Sequence, residues 1–129
     1  MTSDAVALAP WGFDDRVASL LAGAAGRVPG GRVGAVPGRV VRVEKGGIFV
    51  RVAGGERLVT APPAAPAAAV GDWVLVEDRE GSVAVRHVLE RWTALTRRDP
   101  DTGADQVLAA DIDLVLVAAP LDRLRLARV

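Results

Sequence analysis

The sequence predicts a mainly β protein centred on a small five-stranded Greek-key barrel of the OB type. A short N-terminal helix precedes the barrel and one further strand follows it. Three observations predict this. Short β-branched runs recur between residues 39 and 90, separated by glycine pairs or by turn-forming residues. They come as three runs, a Pro/Ala-rich crossing and two more runs, which is the element order of such a barrel. A last apolar run, 112–118, lacks the alternation of the others and reads as a strand covered on both faces. An SH3-like barrel shares the strand count and is the alternative fold.

The chain has 129 residues, enough for one compact domain with appendages. It contains no cysteine, so a disulfide scaffold, a thiolate zinc site and a cysteine nucleophile are excluded, and a reducing cytoplasm is the expected location. No apolar run reaches the roughly 18 residues needed to span a bilayer, so no membrane partner is expected. The start "MTSDAVALAPWGF" lacks the basic-then-apolar order of a signal peptide. Acidic and basic residues balance at 16 each, but unevenly along the chain. Between Arg32 and Thr60 six basic residues face only Glu44 and Glu56, and from Arg86 to Arg98 four arginines face only Glu90. A neutral protein with one basic side, or a set of solvated strand faces, both fit that distribution.

In order along the chain, "DDRVASLLAG" places Val17, Leu20 and Leu21 at helical spacing behind two aspartates, and Gly23 stops it. From Gly23 to Gly38, Gly and Pro recur without a period, which predicts a mobile linker and makes 1–38 an N-terminal extension. The barrel occupies 39–90. Its first three strands, "RVVRVE", "IFVRVA" and "ERLVTA", are joined by Gly46-Gly47 and Gly54-Gly55 into a meander. In the second, Ile48, Val50 and Val52 alternate with Phe49 and Arg51, assigning one face to a core and the other to solvent or a ligand. Pro62, Pro63 and Pro66 exclude a regular helix at the start of the crossing loop. "DWVLVE" and "SVAVRHV" then form a hairpin around "DREG". Residues 91–111 read as a connector.

The succession "GRVVRVEKGGIFVRV", "VGDWVLVE", "VLERWTALTRR" and "QVLAADIDLVLVAAPLD" resembles the N-terminal part of the ribosome small-subunit-dependent GTPase A family, the circularly permuted GTPases of small-subunit maturation. The resemblance runs from Gly38 to about Val129. It implies an OB domain in contact with ribosomal RNA over the barrel, and makes residues 112–129 the truncated start of a permuted GTPase domain. It also implies GTP, magnesium and a structural zinc for the full-length parent, all bound outside this chain, and the small ribosomal subunit as partner. One position departs: where the family usually has Asn, this chain has Asp111. That change replaces two amide donors with an acceptor-only carboxylate.

The candidate RNA-binding residues are Arg39, Arg42, Lys45, Arg51 and Arg57 on the first three strands and their turns, the part of an OB barrel that commonly carries the binding face. Phe49 shares the parity of Arg51 and offers a ring for stacking, or else fills a barrel end. Arg91, Arg97 and Arg98 flank the exit segment, where they touch RNA or pair with the aspartates that follow. Trp73 and Trp92 read as packing residues, and Trp11 with Phe13 as the contact that docks the helix or meets a partner.

His87, the sole histidine, has no identifiable nucleophile or orienting acid, and Ser19 and Ser82 carry no nucleophile signature. Asp99, Asp101 and Asp105 in "DPDTGAD" form a carboxylate-rich turn without a complete ligand set. No catalytic or metal residue is therefore assigned. A stand-alone OB protein of the cold-shock kind and a protein-interaction barrel are the rival readings. Self-association through 112–118 is expected wherever that strand lacks a partner in its own sheet. The only lysine, Lys45, sits in a turn rather than in a G-x-x-x-x-G-K-[S/T] loop. This chain alone is expected not to bind GTP; saturable binding in a nucleotide titration would overturn that expectation.

Overall fold

A computed structural model describes residues 3–24, 27, 34–60, 67–79 and 81–123, with the side chains of Arg79 and Arg123 excepted. The helical part opens with α1 (Ser3–Leu8), a 3-10 turn (Ala9–Trp11) and α2 (Asp15–Ala24). The sequence reading had only α2. Helix α1 is six residues long and carries too little periodicity to be seen alone. Asp14 caps α2, its Oδ1 accepting the Val17 N–H at 3.0 Å.

Seven strands follow: β1 (Ala35–Glu44), β2 (Gly47–Val52), β3 (Gly55–Val59), β4 (Trp73–Arg79), β5 (Ser82–Val88), β6 (Ala94–Arg98) and β7 (Asp105–Ala110). The first five form an antiparallel sheet in the order β3-β2-β1-β4-β5. The fourth strand returns beside the first after a long connection, which is the Greek-key step, and the edges β3 and β5 approach each other. The mainly β, OB-type expectation holds. Strand β1 begins at Ala35, so 35–38 belong to a strand rather than to the expected linker: Ala35 to Gly38 pair with Glu77 to Val74. The crossing loop over 61–66 lies outside the described residues.

A bulge interrupts β1 between Val40 and Arg42. Strict alternation would set Arg39 and Arg42 on opposite faces; the extra residue brings both to the same side. The barrel interior is almost entirely valine, with Val40, Val50, Val52, Val59, Val74, Val76 and Val85 around Ile48. β-branched side chains fit this pleated surface. A second core lies on the other face of β4, where Trp73 and Leu75 pack with Leu8, Val17, Ala24 and Leu89. Phe13 meets Trp73 edge-on, ring centroids 5.5 Å apart, so the helices cap the barrel through that pair.

Strands β6 and β7 form a separate two-stranded ribbon where the sequence reading had a connector. The Asp111 N–H closes its base on the Thr93 carbonyl at 2.9 Å, and the Ala110 N–H fastens it to the crossing loop by donating to the Val70 carbonyl at 2.8 Å. The run 112–118, expected to be a strand, forms no ladder among the described residues. Leu114, Leu116 and Leu121 are 76%, 87% and 90% exposed. A strand exists only through its partner's hydrogen bonds, and no described strand lies alongside this run. No helix among the described residues is long and apolar enough to cross a membrane.

The ribbon joint sets a glycine requirement. Gly71 has φ +96°, and a Cβ there would stand 2.0 Å from the Ala110 carbonyl oxygen. Gly81 has a similar φ of +82° but open space around it. Gly81→Ala is expected to cost about 1 kcal/mol of left-handed strain, and Gly71→Ala about 3 kcal/mol or more, because backbone must also move. Urea unfolding of both variants checks the difference.

Candidate nucleic-acid interface

The face of β1–β3 turned away from the barrel core is set by register. Arg39 pairs with Arg51 and Arg42 with Phe49 across β1 and β2; Phe49 then pairs with Leu58, and Arg51 with Glu56, on β3. Two arginines on this face lie over aromatic rings. The Arg42 guanidinium is 3.8 Å from the Phe49 centroid, and that of Arg51 is 5.1 Å from the Trp11 centroid. Leu58 adds an exposed apolar side chain beside Phe49. Lys45 stands exposed in the two-residue turn between β1 and β2.

Carboxylates temper the basic character inferred from charge counting. Arg42 bonds Glu44 at 3.1 Å and reaches Glu56 at 3.8 Å. Arg57 is in register with Val50, so it belongs to the other parity from Phe49 and Arg51. It bonds Asp78 at 2.9 Å, and that bond, helped by the Gly81 N–H, holds the Asp78 carboxyl below its ordinary range.

Arg39 faces inward to the fold. Its Nη1 donates to the Trp11 carbonyl at 2.6 Å, Nε to Gly71 at 3.1 Å and Nη2 to Asp111 at 2.9 Å, while its guanidinium lies 5.4 Å from the Trp73 centroid. Gly12, at φ +95°, lets this group approach: a Cβ there would stand 2.6 Å from Nη1. Arg91 is also engaged internally. Its Nε and Nη2 hold both oxygens of the fully buried Asp72 at 2.8 and 2.7 Å, and this pair raises the Arg91 pKa. Arg97 and Arg98 are exposed on the ribbon, bonded to Gln106 Oε1 at 2.9 Å and to the Gly103 carbonyl at 3.0 Å.

The structure thus brings Arg42, Lys45, Phe49 and Arg51 onto one surface with Trp11. It sets Arg57 on the other parity, Arg97 and Arg98 on the ribbon, and Arg39 and Arg91 in the framework. Trp11 enters this surface from forty residues away, through Arg51, and no local pattern signals that contact. Trp73 is fully buried and Trp92 packs against the second core, as packing residues. His87 is half-buried on β5 opposite Leu75. Asp99 Oδ1 accepts the backbone N–H groups of Asp101 at 2.8 Å and Thr102 at 3.2 Å, closing a turn. Among the described residues, no group of three His, Asp or Glu is placed to hold a metal ion.

Asp111 is the one non-glycine residue with positive φ among those described, at 54°. Its Oδ1 accepts the Trp92 N–H at 3.0 Å, and Oδ2 is buried without a partner. Burial raises its pKa, and the nearby Asp72 carboxylate adds to the rise; the Trp92 and Thr93 backbone bonds and Arg39 oppose it. A raised folded-state pKa means that Asp111 stabilises the fold when protonated, a contribution lost as pH rises through the folded pKa. Asn keeps the acceptor, removes the charge and tolerates the left-handed backbone. Asp111→Asn is expected to raise stability at pH 7 by about 1 kcal/mol, with the gain shrinking as pH falls into the carboxylate range. Thermal melts of both proteins across that pH span check it.

No family model matches this chain. Three curated relatives do, each described as a small ribosomal subunit biogenesis GTPase RsgA. The one from Streptomyces coelicolor is 36% identical over 130 residues, covering 95% of this chain and 34% of the relative. That from Syntrophotalea carbinolica is 34% identical over 106 residues, covering 68% and 29%. That from Opitutus terrae is 44% identical over 66 residues, covering 43% and 18%. The chain spans about a third or less of the length of the curated relatives it matches.

Proposed function

The chain belongs to the RsgA family of small ribosomal subunit biogenesis GTPases, and from that premise we propose that its barrel docks a GTPase of this kind onto RNA of the small ribosomal subunit. The observation that carries the reading is the pair of arginines lying over aromatic rings, Arg42 on Phe49 and Arg51 on Trp11, beside the exposed Lys45. A guanidinium held over a ring keeps its outer N–H donors free for phosphate oxygens. The rings and the exposed Leu58 offer flat and apolar surface to unstacked bases. Glu44 and Glu56 hold Arg42 in place in the unbound state, and a phosphate would take over their role.

In this reading the chain supplies attachment, and chemistry belongs to the parent protein. The residues present do not fit a nucleotide or zinc site: the single lysine sits at a hairpin turn, and cysteine is absent. GTP, magnesium and zinc would all be held outside these residues, and the parent would work in the cytoplasm, where the subunit matures.

Titration of labelled small-subunit RNA by fluorescence anisotropy tests the proposal. Arg42→Ala, Lys45→Ala and Arg51→Ala are each expected to weaken binding roughly threefold to tenfold on all RNA sequences alike, and to lower the salt slope by about one. Arg57→Ala, on the other parity, is expected to change binding less than twofold. Salt-independent binding, or wild-type affinity in the triple variant, would remove this face from the account.

A further inference from the structure

A second concave surface shares no residue with the face just described. It is a groove of about 730 Å³ between the two helices and strands β1 and β4. Its walls are apolar, formed by Phe13, Leu21, Pro37 and Leu75. It stays open because the helices turn small residues toward it: Ala9, Ala18 and Ala22 line it, remain exposed and are too short to fill the space. Among the described residues, the charged ones in its lining are Asp4, Asp14 and Asp15, and none is basic. None has an ion pair among the described residues, and the neighbouring Arg16 turns to the Trp92 ring instead, 4.9 Å away. One oxygen of Asp14 caps α2; Asp4 and Asp15 sit in the first turns of their helices.

We propose that this groove receives a short extended peptide segment of alternating basic and apolar residues, presented by a protein partner. The volume lies within the range of roughly 300–1,000 Å³ typical of binding pockets. An apolar floor with an acidic rim selects a ligand that is apolar on one side and cationic on the other. Carboxylates on the first turns of two separate helices call for several cations in one molecule, which a peptide supplies and a single amine does not. An extended segment turns successive side chains to opposite sides, so alternate residues point down to the floor and up to the rim. The same carboxylates repel a nucleic acid, which separates this surface from the RNA-facing one in chemistry as well as position.

The test uses two labelled heptapeptides, one alternating leucine and arginine and one alternating serine and arginine, titrated by anisotropy against the whole chain. The leucine–arginine peptide is expected to bind saturably and the serine–arginine peptide at least tenfold more weakly. Ala18→Leu or Ala22→Leu, which fill an exposed mouth without touching the core, should lower affinity at least tenfold with an unchanged circular dichroism spectrum. Asp4→Asn with Asp15→Asn should lower it several-fold and flatten its salt dependence. Arg42→Ala should leave it unchanged, so failure of the RNA reading and failure of this one are distinguishable. Equal binding of the two peptides, or full affinity in both Ala18→Leu and Ala22→Leu, overturns the proposal. A concentration-dependent dimer abolished by Ala18→Leu would assign the groove to a second copy and overturn it equally.

Discussion

One guanidinium holds three separate segments of this protein together. Arg39 stands on β1, the central strand of the sheet, and donates to the carbonyls of Trp11, Gly71 and Asp111. These carbonyls belong to the helical cap, the crossing loop and the exit from the ribbon, and each lies where the chain turns and regular pairing stops. A planar group with donors fixed in a fork can serve three such acceptors at once, which the compact ammonium of lysine does not match in geometry. The glycines around it follow from this arrangement, since Gly12 and Gly71 clear the space in which the group and the ribbon meet the barrel. Trp11 is positioned by the same bond, so the ring beneath Arg51 depends on a residue that itself faces inward.

Around this joint lies a second layer of buried charge. Asp72 accepts the Ala69 N–H at 2.8 Å and both Arg91 donors, so every part of its carboxylate is satisfied. Asp111, close enough to interact electrostatically with both members of that pair, is left with one oxygen unpartnered. Two carboxylates and two arginines thus share one junction, in which one Asp111 oxygen is left without a partner. The barrel face shows the opposite arrangement, with exposed and exchangeable pairs such as Arg42 with Glu44 and Glu56, each contributing under about 1 kcal/mol. Rigid charge sits at the joint and adaptable charge sits on the surface available to a partner.

The valine-rich alternation of Ile48, Val50 and Val52 made β2 and its meander readable, because a half-buried strand must turn every second residue inward. The bulge was present in the sequence as the doublet Val40-Val41, which breaks that alternation, but its effect on Arg42 needed the register. The unbroken run Trp73-Val74-Leu75-Val76 carries the signature of a strand buried on both faces, with Trp73 and Leu75 under the helices and Val74 and Val76 in the barrel. The same signature at 112–117 has no cover among the described residues. Of the candidate interface, Phe49 and Arg51 were legible from strand parity and Lys45 from its turn, whereas the face taken by Arg42 follows from the bulge. The inward roles of Arg39 and Arg91 were not, since each depends on partners 19 to 72 residues away. The ribbon escaped notice because "ALTRR" and "DQVLAA" are mostly exposed and show little apolar alternation.

The long reach of β1 has a consequence for how the chain is made. Strand β1 finds β2 at once, across a two-residue turn, but its other edge waits for β4: Arg39 pairs with Trp73, thirty-four residues later. At synthesis rates of about 5–20 residues per second that edge stays unpaired for roughly 2–7 s. During that interval the meander β1–β3 is an open, valine-lined ribbon, and the helices made before it have no Trp73 or Leu75 to rest on. The helical segment, made before the sheet, is therefore among the last to settle, and the cap closes over the barrel only after the strand that links the two cores has joined.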